Sequence, residues 1–291
     1  MNKNINRPLG FGEILDQTFR MLKSNFKTLF AITFLVSVPV LAIQAIILSL
    51  TGRDFFTTLN SGQNLLEQFV QGSETVATST IQEDLLTIFS SMFFIFALPV
   101  LAGAIILTVK HTREGEKPAA KEMIKGSLPR YWPLFWSSVL YMIIISAILF
   151  PSFVIIILIG TLFIMVDPII GTFVMLLLGL GLFVGAGLLF TRWSLYLPAV
   201  LFEKVAPGLG KSFRLTKRQT WKFFGLIIVL MIITSIISFV LQIPLMLLGD
   251  SVLFNLLTNL ISMITSMIFV VGYSVMYFDA SVRQEATDLK A

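Results

Sequence analysis

Six apolar runs, each longer than 20 residues, divide this chain at about 29–50, 85–109, 133–159, 169–190, 223–248 and 252–278. A helix of that length reaches about 30 Å at 1.5 Å per residue, the thickness of a bilayer's hydrocarbon core. Helices satisfy their own backbone hydrogen bonds, so the runs predict an all-α, polytopic integral membrane protein with six transmembrane helices. Charge then sets the threading. Lys3, Arg7, Arg20, Lys23 and Lys27 precede the first run, and Lys110, Arg113, Lys117, Lys121, Lys125 and Arg130 separate the second from the third. Arg192, Lys204, Lys211, Arg214, Lys217, Arg218 and Lys222 separate the fourth from the fifth, while Arg283 and Lys290 follow the sixth. Only Arg53 is left for the other face, which carries Asp54, Glu67, Glu74, Glu83, Asp84, Asp167 and Asp250. Basic loops stay in the cytoplasm during insertion, so both termini are expected inside.

A net charge of +5 is therefore an average over two faces of opposite sign and does not point to nucleic acid. With 13% charged and 56% hydrophobic residues, the chain has too little charge to cover a water-soluble globule. The absence of cysteine excludes disulfides, thiolate metal sites and thiol catalysis. The first apolar run follows an amphipathic start, which reads as a retained span and not a cleaved signal peptide. Residues 1–291 are read as a single membrane domain.

Shorter amphipathic stretches precede alternate spans. Over 9–27, Phe11, Ile14, Leu15, Phe19, Leu22 and Phe26 follow helical spacing, opposite Glu13, Asp16, Gln17, Arg20 and Lys23. The basic segment 110–132 sets Ala120, Met123, Ile124 and Leu128 against Lys121, Glu122 and Lys125. The basic segment 191–222 sets Leu209 and Phe213 against Lys211, Arg214, Lys217 and Arg218, on a helix expected over 208–220. Such helices lie along a membrane surface, apolar face down. Each ends in an aromatic and basic junction, and together they read as a threefold repeat of surface helix, outward span and inward span. Asp167-Pro168 and Gly249-Asp250-Ser251 are expected as tight external turns, and the acidic loop 51–84 as the long external connection, with Leu65, Leu66, Phe69 and Val70 suited to a short interfacial helix.

Few residues suit catalysis. His111 has no second histidine for a metal pair and no serine nucleophile nearby, and is expected as a solvated loop residue. Gly210-Lys211-Ser212 ends like a phosphate-binding loop, but Val205 stands where that motif needs glycine. No catalytic, cofactor or metal site is expected. Arg192 interrupts the apolar stretch before Pro198 and either marks the inner interface or sits inside the bundle to bind an anionic headgroup or carboxylate. Arg192, Lys211, Arg214, Lys217, Arg218 and Lys222 are the candidate contacts for anionic lipid or a partner, with residues 211, 214 and 218 on one helical face. Gly181 and Gly185 have the four-residue spacing that lets membrane helices pack closely.

Four segments carry a family resemblance: Arg7-Pro8-Leu9-Gly10-Phe11-Gly12-Glu13-Ile14-Leu15-Asp16; Arg192-Trp193-Ser194-Leu195-Tyr196-Leu197-Pro198-Ala199-Val200 with Glu203; Lys211-Ser212-Phe213-Arg214-Leu215-Thr216-Lys217; and Tyr277-Phe278-Asp279-Ala280-Ser281-Val282-Arg283-Gln284-Glu285. Together the chain resembles the membrane domain of glycerophosphoryl diester phosphodiesterases and its free-standing bacterial relatives. In the two-part members, a separate soluble barrel performs the hydrolysis. Its histidine-arginine-glycine signature is missing here, where Thr112 follows His111. The resemblance implies a multi-pass protein of the bacterial inner membrane, without the catalytic barrel. The expected role is a non-catalytic module that organises membrane lipid, anionic lipid included, or a membrane or cytoplasmic partner protein through its basic face. A permease or export-component subunit is the alternative, and an interfacial lipid-modifying enzyme a weaker one.

Overall fold

The computed structural model describes residues 7–50, 55–56, 81–203, 205–248 and 251–288. Arg53, most of the 51–84 loop with its Leu65 to Val70 segment, Lys204 and the Gly249-Asp250 turn lie outside the described residues. Among those described the fold is all-α, without a strand. The helices are α1 (Phe11–Ser24), α2 (Phe26–Leu50), α3 (Ile81–Glu114), α4 (Ala120–Ser127), α5 (Tyr131–Val166), α6 (Pro168–Ser194), α7 (Tyr196–Glu203), α8 (Leu209–Thr216), α9 (Thr220–Gln242) and α10 (Val252–Asp288). Six helical stretches are long and apolar enough to cross a membrane: Phe26–Leu50, Met92–Glu114, Ala120–Val166, Pro168–Glu203, Thr220–Leu245 and Val252–Gln284. The chain is a multi-pass membrane protein by length and composition of these helices.

Local chemistry explains the boundaries. Gly10 N–H donates to Glu13 Oε2 at 2.6 Å, the carboxylate half of a capping box at the start of α1. Asp167 caps α6 by accepting from the N–H groups of Ile169 (2.8 Å) and Ile170 (3.1 Å), with Pro168 at the first helical position, where no N–H is needed. Nothing breaks α5 before this cap, so its 36 residues run from Tyr131 to Val166, well past the apolar run 133–159. Near Pro244, α9 gives way to the 3-10 turn Ile243–Leu248, short of the 248 that hydropathy marks.

The described residues group into two compact units. One takes 18–128 and 230–272. Within it α2 buries Leu29, Ile32, Thr33, Ser37, Val40, Gln44 and Leu48, a stripe at helical spacing. Middle α3 is enclosed nearly all round from Leu101 to Val109 and packs on α2 and α4. Two polar pairs form inside, Ser37 bonding the Thr33 carbonyl and Asn259 Nδ2 donating to Gln44 Oε1 at 2.9 Å, while the buried Thr258 hydroxyl has no partner among the described residues. Of the expected apolar face of α1, Ile14 is buried, while Phe11 and Phe19 stay exposed.

The other unit takes residues up to 17, 129–229 and 273 onwards. Its α5 and α6 pack along each other as a hairpin. A Cβ at Gly160 would overlap Met175, and one at Gly171 would overlap the backbone of Ile164. The two close approaches are placed symmetrically about Asp167, as an antiparallel pair requires. Close approach is expected from the sequence at Gly181 and Gly185, yet a Cβ on either meets no atom within 4 Å. Both are exposed, Gly185 because it borders an open cleft, and a third tight contact falls at Gly187 against Phe224. Gly171→Ala should therefore push α5 from α6 at a cost of about 1–3 kcal/mol, lowering the aggregation midpoint in detergent by roughly 2–10 °C. Gly181→Ala should leave the midpoint level or raise it, since alanine favours helix by about 1 kcal/mol. A Gly171→Ala midpoint equal to the parent's would contradict the hairpin contact.

Candidate functional site

The site begins with a broken helix. Proline has no N–H and its ring clashes with the carbonyl four residues back, so Pro198 sets free the carbonyl of Ser194. There α6 ends and α7 begins, after Leu195. In apolar surroundings every freed backbone group needs a substitute partner. Tyr273 of α10 supplies two: its hydroxyl donates to the Ser194 carbonyl at 2.6 Å and accepts from Leu197 N–H at 3.2 Å. Ser212 of α8 accepts from Leu195 N–H at 2.9 Å and donates to the Arg192 carbonyl at 2.8 Å, an acceptor shared with Thr216 Oγ1 at 3.1 Å. These bonds bind α8 to the break through its buried Ser212, Leu215 and Thr216 face. Gly208, the residue before α8, has φ of 74°, and a Cβ there would stand 2.8 Å from the Tyr196 carbonyl.

The helix expected over 208–220 stops at Thr216. Its carbonyl accepts from Gln219 N–H at 3.0 Å and from Thr220 Oγ1 at 3.0 Å, which closes a turn before α9 starts. This separates cations that a continuous helix would align. Lys211 pairs with Glu203 at 3.1 Å, and Glu203 also accepts from the Tyr277 hydroxyl at 3.2 Å. Arg214 is exposed on α8. Lys217 and Arg218 sit in the turn and line a cleft with Arg192 of α6 and Lys222 of α9, together with Gly185, Leu188, Leu189, Gln219, Thr220 and Trp221. The cleft measures about 510 Å³. Thus the structure gathers Arg192, Lys217, Arg218 and Lys222 from the sequence-derived set and leaves Lys211 and Arg214 outside.

Arg192 lies against the Phe213 ring, its guanidinium carbon 5.1 Å from the centroid, and Nε donates to Thr220 Oγ1 at 3.3 Å. Neither it nor Lys217 or Arg218 has a carboxylate within 4 Å among the described residues. Lys222 differs. Its Nζ donates to Asp279 Oδ2 at 3.1 Å and to the Leu9 carbonyl at 2.6 Å. Asp279 is fully buried and also accepts from Arg283 Nε at 3.0 Å and from Leu9 N–H at 2.6 Å. Arg283 Nη2 reaches the same Leu9 carbonyl at 2.5 Å. One carboxylate thus holds two cations and pins the segment before α1. The four-residue spacing of Asp279 and Arg283 is the signal for this pair in the sequence.

A second cluster lies in the other unit. His111 falls in the last turn of α3, not in a loop, and Gly115, with φ of 86°, turns the chain so that Glu116 meets His111 Nδ1. Ligand atoms of His111, Glu114 and Glu116 lie within 4.8 Å of one another, a spacing that can hold a cation, although Lys110 already pairs with Glu114 at 3.8 Å.

Comparison with protein-family models, with curated proteins and with solved structures gives no match to this chain.

Removing Asp279 would strand two cations inside the unit. Asp279→Ala should destabilise it by about 3 kcal/mol, the lower end for a broken buried pair, because both cations keep some exposure. Hydrogen exchange reads the effect locally: the Leu9 amide should lose its protection in the variant. Unchanged exchange at Leu9 would show that the segment is held by other contacts.

Proposed function

We propose that this chain is a non-catalytic, multi-pass protein of the bacterial inner membrane that retains anionic lipid at a basic cytoplasmic face and so organises lipid, or an acidic partner, around it. The observation that carries the reading is the cleft. Among the described residues, four cationic side chains, Arg192, Lys217, Arg218 and Lys222, and no acidic one line it, beside apolar Leu188, Leu189 and Trp221. Anionic headgroups attract basic residues by about 1 kcal/mol each near a membrane surface.

In this reading both termini are cytoplasmic and α1, α4 and α8 lie along the inner surface. Support comes from the order of elements: a short amphipathic helix precedes two long apolar ones three times, in α1–α2–α3, α4–α5–α6 and α8–α9–α10. Trp132, Trp136 and Trp221, each over 60% exposed at the start of a long helix, suit headgroup depth. The resemblance to the membrane domain of glycerophosphoryl diester phosphodiesterases agrees with this placement. All four segments that carry it contribute to the bonds around Leu9, Arg192, Lys211 and Asp279.

Because the chain has no cysteine, single cysteines report topology against a blank background. In intact cells an impermeant thiol reagent should label a cysteine at Ser73, which lies outside the described residues, and spare one at Lys117; the opposite pattern would invert the threading. Lipid retention is read separately. The double variant Lys217→Gln/Arg218→Gln leaves Lys211, Arg214 and Lys222 to hold topology, and should bind co-purified anionic lipid roughly 30-fold more weakly, from about 1 kcal/mol per charge. The parent's retention should fall as salt rises. If a correctly threaded double variant keeps the parent's anionic lipid across the salt series, the function proposed here is wrong.

A further inference from the structure

Gly185, Leu188, Leu189 and Arg192 occupy positions i, i+3, i+4 and i+7 of α6, and all four line the cleft. They form one helical face, an apolar strip that ends in a guanidinium. Residues 217–222 line the same cleft and bring Lys217 and Arg218 to it, with Lys222, whose ammonium bonds Asp279. A molecule that fills this cleft has an anionic head at Arg192 and an apolar limb along Leu189, Leu188 and Gly185. That is the shape of a phospholipid, not of a free anion.

Charge narrows the class of head. Arg192, Lys217 and Arg218 have no carboxylate partner among the described residues, and the single carboxylate on Lys222 is shared with Arg283. The positive excess around the cleft is several charges. A phosphodiester headgroup brings one negative charge. A terminal phosphate monoester or a diphosphate brings up to two or three, with more oxygens for guanidinium and ammonium donors. We infer that the cleft is a site for a lipid whose head is a terminal phosphate or diphosphate, held with its apolar chain along α6. This rests on the lipid-retaining reading above and makes it more specific.

Gly185 provides a test that leaves the charges alone. A Cβ there meets no atom within 4 Å, so Gly185→Leu starts into open space and extends into the apolar limb of the cleft. Purified parent protein is equilibrated with equimolar dioleoyl phosphatidic acid, phosphatidylglycerol and phosphatidylcholine, and bound lipid is counted by native mass spectrometry. Phosphatidic acid should be preferred over phosphatidylglycerol at least 5-fold. Gly185→Leu should lower phosphatidic acid binding at least 5-fold, and Lys217→Gln/Arg218→Gln should remove the preference between the two acidic lipids. Inorganic phosphate at millimolar concentration should not displace phosphatidic acid, because it lacks the apolar limb; displacement would reduce the cleft to a site for free phosphate and overturn the lipid assignment. Equal binding of phosphatidic acid and phosphatidylglycerol, both above phosphatidylcholine, would overturn the terminal-phosphate inference and leave the anionic-lipid function standing. Equal binding of all three would overturn both.

Discussion

A helix interrupted in apolar surroundings must find new partners for the backbone groups it releases, and the break between α6 and α7 meets that requirement with side chains. Tyr273 takes the Ser194 carbonyl and the Leu197 amide, while Ser212 takes the Leu195 amide and the Arg192 carbonyl. The bonds do more than repair a helix. They fasten α8 against the break, which in turn sets where the chain turns at Lys217 to Gln219 and which cations face Arg192. Each satisfied bond of this kind contributes only about 1 kcal/mol, but a buried group left without a partner costs about 1–3 kcal/mol. The geometry of the cleft thus follows from how the break before Pro198 is bonded.

Electrostatics in this unit divides into two parts with different jobs. Around Asp279 the charges are enclosed, mutually bonded and structural: Lys222 and Arg283 share one carboxylate and one backbone carbonyl. At Lys217, Arg218 and Arg192 the charges have no carboxylate partner among the described residues. Lys222 stands at the boundary, lining the cleft while its ammonium bonds Asp279 and the Leu9 carbonyl. The same residue type therefore builds the fold in one place and offers attraction in another, and only the location of carboxylates separates the two.

The spans were legible because hydropathy is a local property: a run of 20 apolar residues declares itself without reference to anything distant. The break was legible in part, since Pro198 removes one N–H from the helical ladder, although Pro39, Pro99 and Pro151 stand inside continuous helices. What satisfies the break was not, because Tyr273 lies 79 residues from Ser194 and nothing local to either announces the other. The basic segment could be read as a cluster, but not divided. Lys211 and Lys217 look alike in sequence; Glu203 and the turn after Thr216 make one a structural partner and the other a cleft residue. The spacing of Gly181 and Gly185 could be read as a packing motif, yet a motif does not say whether a neighbour is present, and along α5 and α6 the close approaches fall at Gly160, Gly171 and Gly187. His111 and Glu116 meet through the left-handed turn at Gly115, a conformation that the residue permits but does not announce.

The Leu9 to Asp279 contact joins residues 270 positions apart in the chain. A ribosome adding about 5–20 residues per second needs on the order of tens of seconds to make that interval. Throughout that time the first residues have been made, and the carboxylate that will hold them has not. The early spans are therefore made with the Leu9 segment undocked, and its docking waits until Asp279 has been made. A chain stopped before Asp279 carries the Leu9 segment without the carboxylate that holds it.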